Sequence, residues 1–256
     1  MEVEWRRLRA DQLRERAKQD AIVILPVGSL EQHGPHLPVE IDSLLGEAVA
    51  LRTARLASAT DNLIVLPMLW TGISEHHMSL GGTITLDFET FFGLIRCVCE
   101  SVVRHGFRRI VLLNAHGGND NALRVCADEL SLKLDVPIVQ FTYWYAAEKP
   151  IAALLERQSN LWHACEAETS MCMALRPELV AQDRIRLAEV NCTPEVADVV
   201  GKGVYRWRSL ESRSPAGVHG YPSAASPEKG EKLLDAISHD LAKKICSKEL
   251  WSLPWR

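Results

Sequence analysis

Four short, almost unbroken apolar runs, AIVILPVGS (21–29), NLIVLPML (62–69), RRIVLLNAH (108–116) and VPIVQFTYW (136–144), are separated by stretches of helical length. A strand that alternates apolar and polar residues has one wet face, whereas a strand that is apolar throughout must be covered on both. The spacers supply the covers. Residues 42–57, 87–105 and 119–133 repeat apolar positions at helical spacing, with Phe91, Leu94, Ile95 and Val98 sharing one face of the second. Strand and helix in alternation predict an α/β protein, a three-layer α/β/α sandwich with a mostly parallel central sheet. A last helix is expected over 227–247, where Ser226 can cap the first turn and Leu233, Leu234, Ile237, Leu241 and Ile245 recur at helical spacing. Between Val190 and Pro222 the pattern fades into Gly, Pro, Ser and Arg, which predicts a long irregular loop.

No Pro/Gly/Ser-rich linker divides the 256 residues, so residues 1–256 read as a single domain, and 47% hydrophobic residues suffice for a sizeable core. A net charge of -4 without a basic stripe argues against nucleic acid as a partner. The N-terminus, MEVEWRRLRADQLRERAKQD, is charged where a signal peptide would be apolar, and no run of about 18 apolar residues offers a membrane span. A cytoplasmic protein with no membrane partner is expected. Seven cysteines, an odd count without CxxC spacing, read as reduced core thiols rather than a disulfide framework or zinc knuckle.

Metal-competent residues concentrate just after the predicted strands, where open parallel sheets bind their ligands. In SLEQHGPHLPVEID, Glu31 and His33 are two apart and so fall on one side of an extended segment; Gly34 and two prolines then turn the chain, and Asp42 opens the next helix. A carboxylate, an imidazole and an aspartate able to bridge suit paired Zn, Mn or Fe(II) ions, although E-x-H alone is a weak motif and Asp42 also reads as a helix cap. In LLNAHGGND, His116 ends the strand expected to be central, and Gly117 and Gly118 let backbone approach a ligand before a helix begins. In LWHACEAETSMCMAL, His163 precedes a helix whose first turn holds Glu166 and Glu168, positions where acids also simply complement the helix dipole. GISEHHMSLGGTITL adds Glu75, His76 and His77 in a loop after a strand. Tyr143, Trp144, Tyr145 and Trp162 read either as an aromatic wall beside a substrate or as core.

Taken in order, VGSLEQHGPHLP followed by Asp42, HMSLGGT, NAHGGN, HACEAETS and GVHGYPSAASPEKG resemble the creatininase (creatinine amidohydrolase) family, from about Val23 to Leu234. The resemblance implies an α/β/α fold related to other dinuclear metal hydrolases, assembled as a homo-oligomer, often a hexamer. It implies two divalent ions (Zn, Mn or Fe), with Glu31 and His33 on different ions, Asp42 bridging, His116 completing the first site, and Glu168 in or just outside the metal shell. By the same likeness His163 stands near the scissile group and His77 matches the histidine of the loop before Gly82 and Thr83; with Gly117, Gly118 and Trp162 as read above, His77 is expected to meet a small-molecule substrate. Creatininase proper has an aromatic residue and then a metal-binding glutamate where this chain has Gly117 and Gly118, which points away from creatinine itself; the family usually shows glycine at Cys165 and proline at Gly81.

The implied reaction is hydrolysis of the C–N bond of an amide, cyclic amide or formamide by metal-activated water, with His163 or Glu166 passing the proton to the leaving nitrogen. Family alternatives are a formamide hydrolase of a flavin or deazaflavin precursor and a peptidase trimming the mycofactocin precursor peptide. Basic residues in Tyr205–Arg213 would suit a phosphorylated substrate at a pocket mouth. A non-catalytic metal-binding protein is the further alternative, but structural zinc favours closed Cys/His sets and this set is rich in carboxylates. Cys165 reads as a buried thiol without catalytic duty.

Overall fold

The structure, a computed structural model, describes residues 1–58, 61–189, 192–194, 196–201 and 203–254. The four apolar runs become β1 (Ile22–Val27), β2 (Leu63–Val65), β3 (Arg109–Asn114) and β4 (Ile138–Thr142), all parallel in one sheet of order β2-β1-β3-β4. Ile22 pairs with both Leu63 and Arg109, and Val27 pairs with Asn114. Two strands stop short of their apolar runs. Pro67 has no N–H to give a ladder, and beyond β2 the chain meets β1 through the Leu66 N–H on the Ile24 carbonyl oxygen and then through an isolated Val27–Leu69 bridge. Tyr143 and Trp144, expected in β4, instead open a helical turn, Tyr143–Ala146.

The main helices are α1 (Ala10–Lys18), α2 (Ile41–Ala57), α3 (Phe88–Arg104), α4 (Asp120–Leu134), α5 (Glu166–Leu175) and α6 (Pro227–Ile245). Alternate strand residues feed two separate cores. Ile22, Ile24, Val111 and Leu113 pack with Leu45 and Val49 of α2, Met171 of α5, and Leu234 and Ile237 of α6. Val23, Leu25, Ile110 and Leu112 face Phe91 and Ile95 of α3 and Leu123 and Leu130 of α4 on the other side. This is the three-layer arrangement that continuous apolar strands require, each fully buried aliphatic side chain contributing roughly 1.5–3 kcal/mol. Helix starts follow the capping rules: Asp87 accepts from the Thr90 N–H, and Ser226 accepts from the Lys229 N–H with Pro227 in the first turn. Helices α5 and α6 cross so closely that a Cβ on Gly230 would lie 1.9 Å from the Ser170 carbonyl oxygen. The charged N-terminus forms α1, which charge alone did not announce; its Leu13 and Ala17 pack on the second core.

From β1 the chain passes to β2 on one side of the sheet, and from β3 to β4 on the other. The loops leaving β1 and β3 therefore diverge at a topological switch point and open a crevice between them. The expected irregular loop is mostly without regular structure, carrying one helical turn at Val196–Val200 and a backbone bridge between His163 and His219. Val190, Asn191, Glu195 and Lys202 of that stretch lie outside the described residues. Among the described residues no helix is long and apolar enough to cross a membrane.

Candidate metal centre

The crevice gathers acids and imidazoles from four places: Glu31 and His33 on the loop after β1, Asp42 in the first turn of α2, His116 just past β3, and Glu168 in the first turn of α5. His116 Nδ1 lies 3.0 Å from Glu31 Oε2 and 3.0 Å from Asp42 Oδ2. His33 Nε2 lies 3.3 Å from Asp42 Oδ1 and 3.9 Å from Glu168 Oε1. These residues make two potential ion sites, Glu31/Asp42/His116 and His33/Asp42/Glu168, with the donor atoms of each within 4.8 Å of one another and Asp42 common to both. A third grouping, Glu31/His33/His163, adds the imidazole of His163, whose Nδ1 is 3.6 Å from Glu31 Oε1.

The residues fit divalent ions by a test independent of resemblance. Among the described residues, Glu31 Oε1, His33 Nε2 and Asp42 Oδ2 are buried without a hydrogen-bond partner, a costly state for charged or strongly polar atoms unless a cation joins them. The histidines are turned to suit. His33 Nδ1 is 3.1 Å from the Glu31 carbonyl oxygen, which can only accept, so Nδ1 carries the hydrogen and Nε2 presents a lone pair to the centre. His116 does the reverse, its Nε2 lying 3.1 Å from the Ile73 carbonyl oxygen and its Nδ1 facing inward. Without an ion, protons serve instead: burial opposes the His33 imidazolium, but Asp42, Glu168 and Glu31 outweigh it and raise its pKa to about 9. Burial lifts Glu168 as well, and although His33 opposes the shift its pKa stands at about 7.

Around the donors, His77 stands with Nε2 3.2 Å from Glu31 Oε1 and Nδ1 3.0 Å from the Gln32 side-chain amide. The same amide lies 3.1 Å from His163 Nε2, so Gln32 sits between two histidines. Sequence reasoning passed over Gln32, whose one signal is its place between two ligand candidates in LEQHG. Glu166 requires a correction. Its carboxylate is turned from the cavity to accept from the Glu156 and Arg157 N–H groups, which tie the segment before α5, and from Lys229 Nζ at 2.6 Å, a buried ion pair that staples α6 to the start of α5. Of the two, His163 is the one whose ring faces the donors. Cys165 caps α5, takes a hydrogen bond from the Trp162 N–H, and has its thiol pushed up to about 12 by burial, as an inert thiol should.

The two glycines after His116 differ. A Cβ on Gly118 would lie 2.2 Å from the Ile73 carbonyl oxygen and 2.9 Å from His76 Cε1, so His76, stacked on His116 with ring centroids 5.6 Å apart, takes the room a side chain would need. Among the described residues, a Cβ on Gly117 would meet nothing within 4 Å. Above the donors lies a cavity of about 600 Å³ whose walls include Gly117, Trp144, Tyr145 and Trp162, with Arg206 and Arg213 also on its lining. Tyr143, by contrast, is wholly buried in the core beneath.

A parallel sheet whose switch-point loops converge on carboxylates and imidazoles poised for divalent ions is the architecture of a metal-dependent amidohydrolase. The chain belongs to the creatininase family, described as creatinine amidohydrolase, whose sequence profile matches residues 6–245. It is similar to the creatinine amidohydrolase of Pseudomonas putida, 32% identical over 247 residues that cover 90% of this chain and 90% of the relative. It is also similar to the 3-dehydro-scyllo-inosose hydrolase of Thermotoga maritima, 29% identical over 252 residues, covering 91% of this chain and 79% of that protein. The solved structure described as "Creatininase Mn" superposes with a TM-score of 0.82 at 27% identity, covering 99% of this chain and all of the other.

Proposed function

We propose that this protein hydrolyses the C–N bond of a small cyclic amide or formamide, using two divalent ions (Zn, Mn or Fe) held by Glu31, Asp42 and His116 and by His33, Asp42 and Glu168. The observation that carries this reading is the convergence of buried, unpartnered donor atoms of Glu31, His33 and Asp42 beside an open cavity. Ions bound there would supply Lewis acidity, lowering the pKa of water towards about 7 and polarising a carbonyl oxygen. The protein's own groups do the rest. His163 Nε2 is anchored 3.0 Å from the Gln32 carbonyl oxygen while Nδ1 faces Glu31. Burial, aided by His33, holds its pKa well below the ordinary histidine value, so the ring rests neutral near neutral pH, and Nδ1 is the nitrogen placed to relay a proton to the leaving nitrogen. The Gln32 backbone carbonyl oxygen holds His163, the Gln32 side-chain amide donates to His77 Nδ1 and so sets His77 beside Glu31, and Trp144 and Trp162 offer flat apolar walls that exclude water from a planar substrate.

Bare space beside Gly117 favours a substrate larger than a single small ring. A second reading, in which that substrate also carries a phosphate or carboxylate, is favoured by Arg206 and Arg213 on the cavity lining. Arg208 is committed elsewhere, donating to the Pro194 and Ser212 carbonyl oxygens and to Thr193 Oγ1. The sequence and the family likeness support a single domain working in the cytoplasm as a homo-oligomer, with neither nucleic acid nor membrane as partner.

The test is to strip the protein of metal, reconstitute it separately with Zn, Mn and Fe(II), and assay it on lactams and formamides with and without an anionic substituent. Activity should require metal. Glu31→Ala and His116→Ala should each lose more than the roughly 10–100-fold typical of outer-shell changes. Full activity in either variant overturns the ligand assignment.

A further inference from the structure

Two serines that no part of the mechanism uses stand behind the centre. Ser29 and Ser74 are both wholly buried, one on the loop after β1 and the other just before the 3-10 turn Glu75–Leu80. Ser29 Oγ donates to Glu31 Oε2 at 2.9 Å, lies 2.6 Å from Ser74 Oγ, and Ser74 Oγ lies 3.2 Å from His116 Nε2. The polarity of this chain has one solution. A carboxylate only accepts, so the single hydrogen of Ser29 goes to Glu31. Ser74 must then give its own hydrogen to Ser29, and has none left for His116. The imidazole therefore brings the hydrogen on Nε2, in agreement with the Ile73 carbonyl oxygen 3.1 Å away.

We propose that Ser29 and Ser74 are positioning residues which, through this one-way hydrogen-bond chain, set how tightly the centre holds its divalent ion. The proposal rests on the reading that Glu31 and His116 are ligands. The chain acts at both ends: it fixes the ring of His116 with the Nδ1 lone pair inward, and it occupies Glu31 Oε2 from behind so that the carboxylate cannot swing out of the centre. It also ties together the loops that carry Ser29, Ser74 and His116, which are distant in sequence. A group that orients a metal ligand from outside typically governs about 10–100-fold in metal affinity. Removing one hydroxyl here breaks a path that the other shares, so the two losses should overlap.

The experiment measures Zn(II) and Mn(II) affinity of the full chain by competition with a chromophoric chelator, for wild type, Ser29→Ala, Ser74→Ala and the double variant. Ser238→Ala is the control, because that buried hydroxyl on α6 has no hydrogen-bond partner among the described residues. Thermal melts of each metal-free protein separate loss of affinity from loss of fold. Each single variant should bind at least tenfold more weakly, the double should lose less than the product of the two single losses, and the control should match wild type. Wild-type affinity in both single variants overturns the proposal, as does a double that loses the full product. A wild-type protein that binds neither metal overturns the reading of the centre instead. Should an alanine variant fail to fold, Ser29→Cys and Ser74→Cys carry the same test, since a thiol is close in size but a weak donor.

Discussion

Deprived of metal, His33 keeps a proton between Asp42 and Glu168, and this gives the apoprotein an unusual response to pH. The folded-state pKa of about 9 lies above the ordinary 6.5, so the stabilisation is fully present below pH 6.5 and is lost as pH rises through 9. His116, raised for the same reason by Glu31 and Asp42 against its own burial, adds in the same direction. Melts in excess chelator should show the transition falling across that window, whereas saturating metal, which takes the place of the protons, should flatten the profile and raise it. A chelated protein insensitive to pH between 6.5 and 9 would contradict the charge pattern described. The two candidate proton carriers also separate here. Glu166→Gln leaves Lys229 short of a buried partner and should destabilise the fold by roughly 3 kcal/mol while sparing the turnover of the folded enzyme. His163→Ala should instead lower turnover by about 10²–10⁴ with little change in stability. In the sequence Glu31, His33, Asp42 and His116 were legible because strand ends and a two-residue spacing announce them. Glu166 and Glu168 were not separable, since both occupy one first turn and only the packing of α6 turns one of them outward. Gln32 and Ser74 stayed silent because their partners lie on loops distant in sequence, and Ser29 because its link to Ser74, unlike that to Glu31, spans two such loops.

Among the secondary-structure elements, the contact of α5 with α6 depends on the missing side chain at Gly230. Gly230→Ala forces a Cβ onto the Ser170 carbonyl oxygen, and chemical denaturation should show a loss of about 1–3 kcal/mol or more. The turn after β3 invites a paired test: Gly118→Ala must displace the Ile73 carbonyl oxygen that orients His116 and should weaken metal binding, whereas Gly117→Ala points into open space and should bind metal normally. Equal affinities in the two variants would count against the steric account of this turn. The strands could be read before the fold was known because burial on both faces leaves an unbroken apolar run. Their ends could not, since Pro67 and the turn at Tyr143 each override a continuing apolar pattern. Helix α1 was hidden for the opposite reason: its buried residue, Arg16, is itself charged, and the partly buried Leu13 and Ala17 are outnumbered by charges.

For the molecule as a whole, large apolar side chains stand exposed on the segment after α5, Tyr205 at 84%, Val199 at 72% and Trp207 at 55%. A homo-oligomer that buries part of this surface is expected, and sedimentation should give a mass several times that of one chain. A monomer at micromolar concentration would refute it. The donors, meanwhile, stand close to the ends of the central strands and in the first turns of α2 and α5, which the packed interior holds in place, while the cavity walls include Tyr145, Trp162 and residues 204–208 on peripheral excursions. Inheritance can therefore rewrite which molecule is admitted without disturbing the engine beneath. Two relatives named for different substrates, a creatinine amidohydrolase and a 3-dehydro-scyllo-inosose hydrolase, are 32% and 29% identical to this chain. Grafting the excursions of one such cousin onto this scaffold is accordingly the short road to changing its diet.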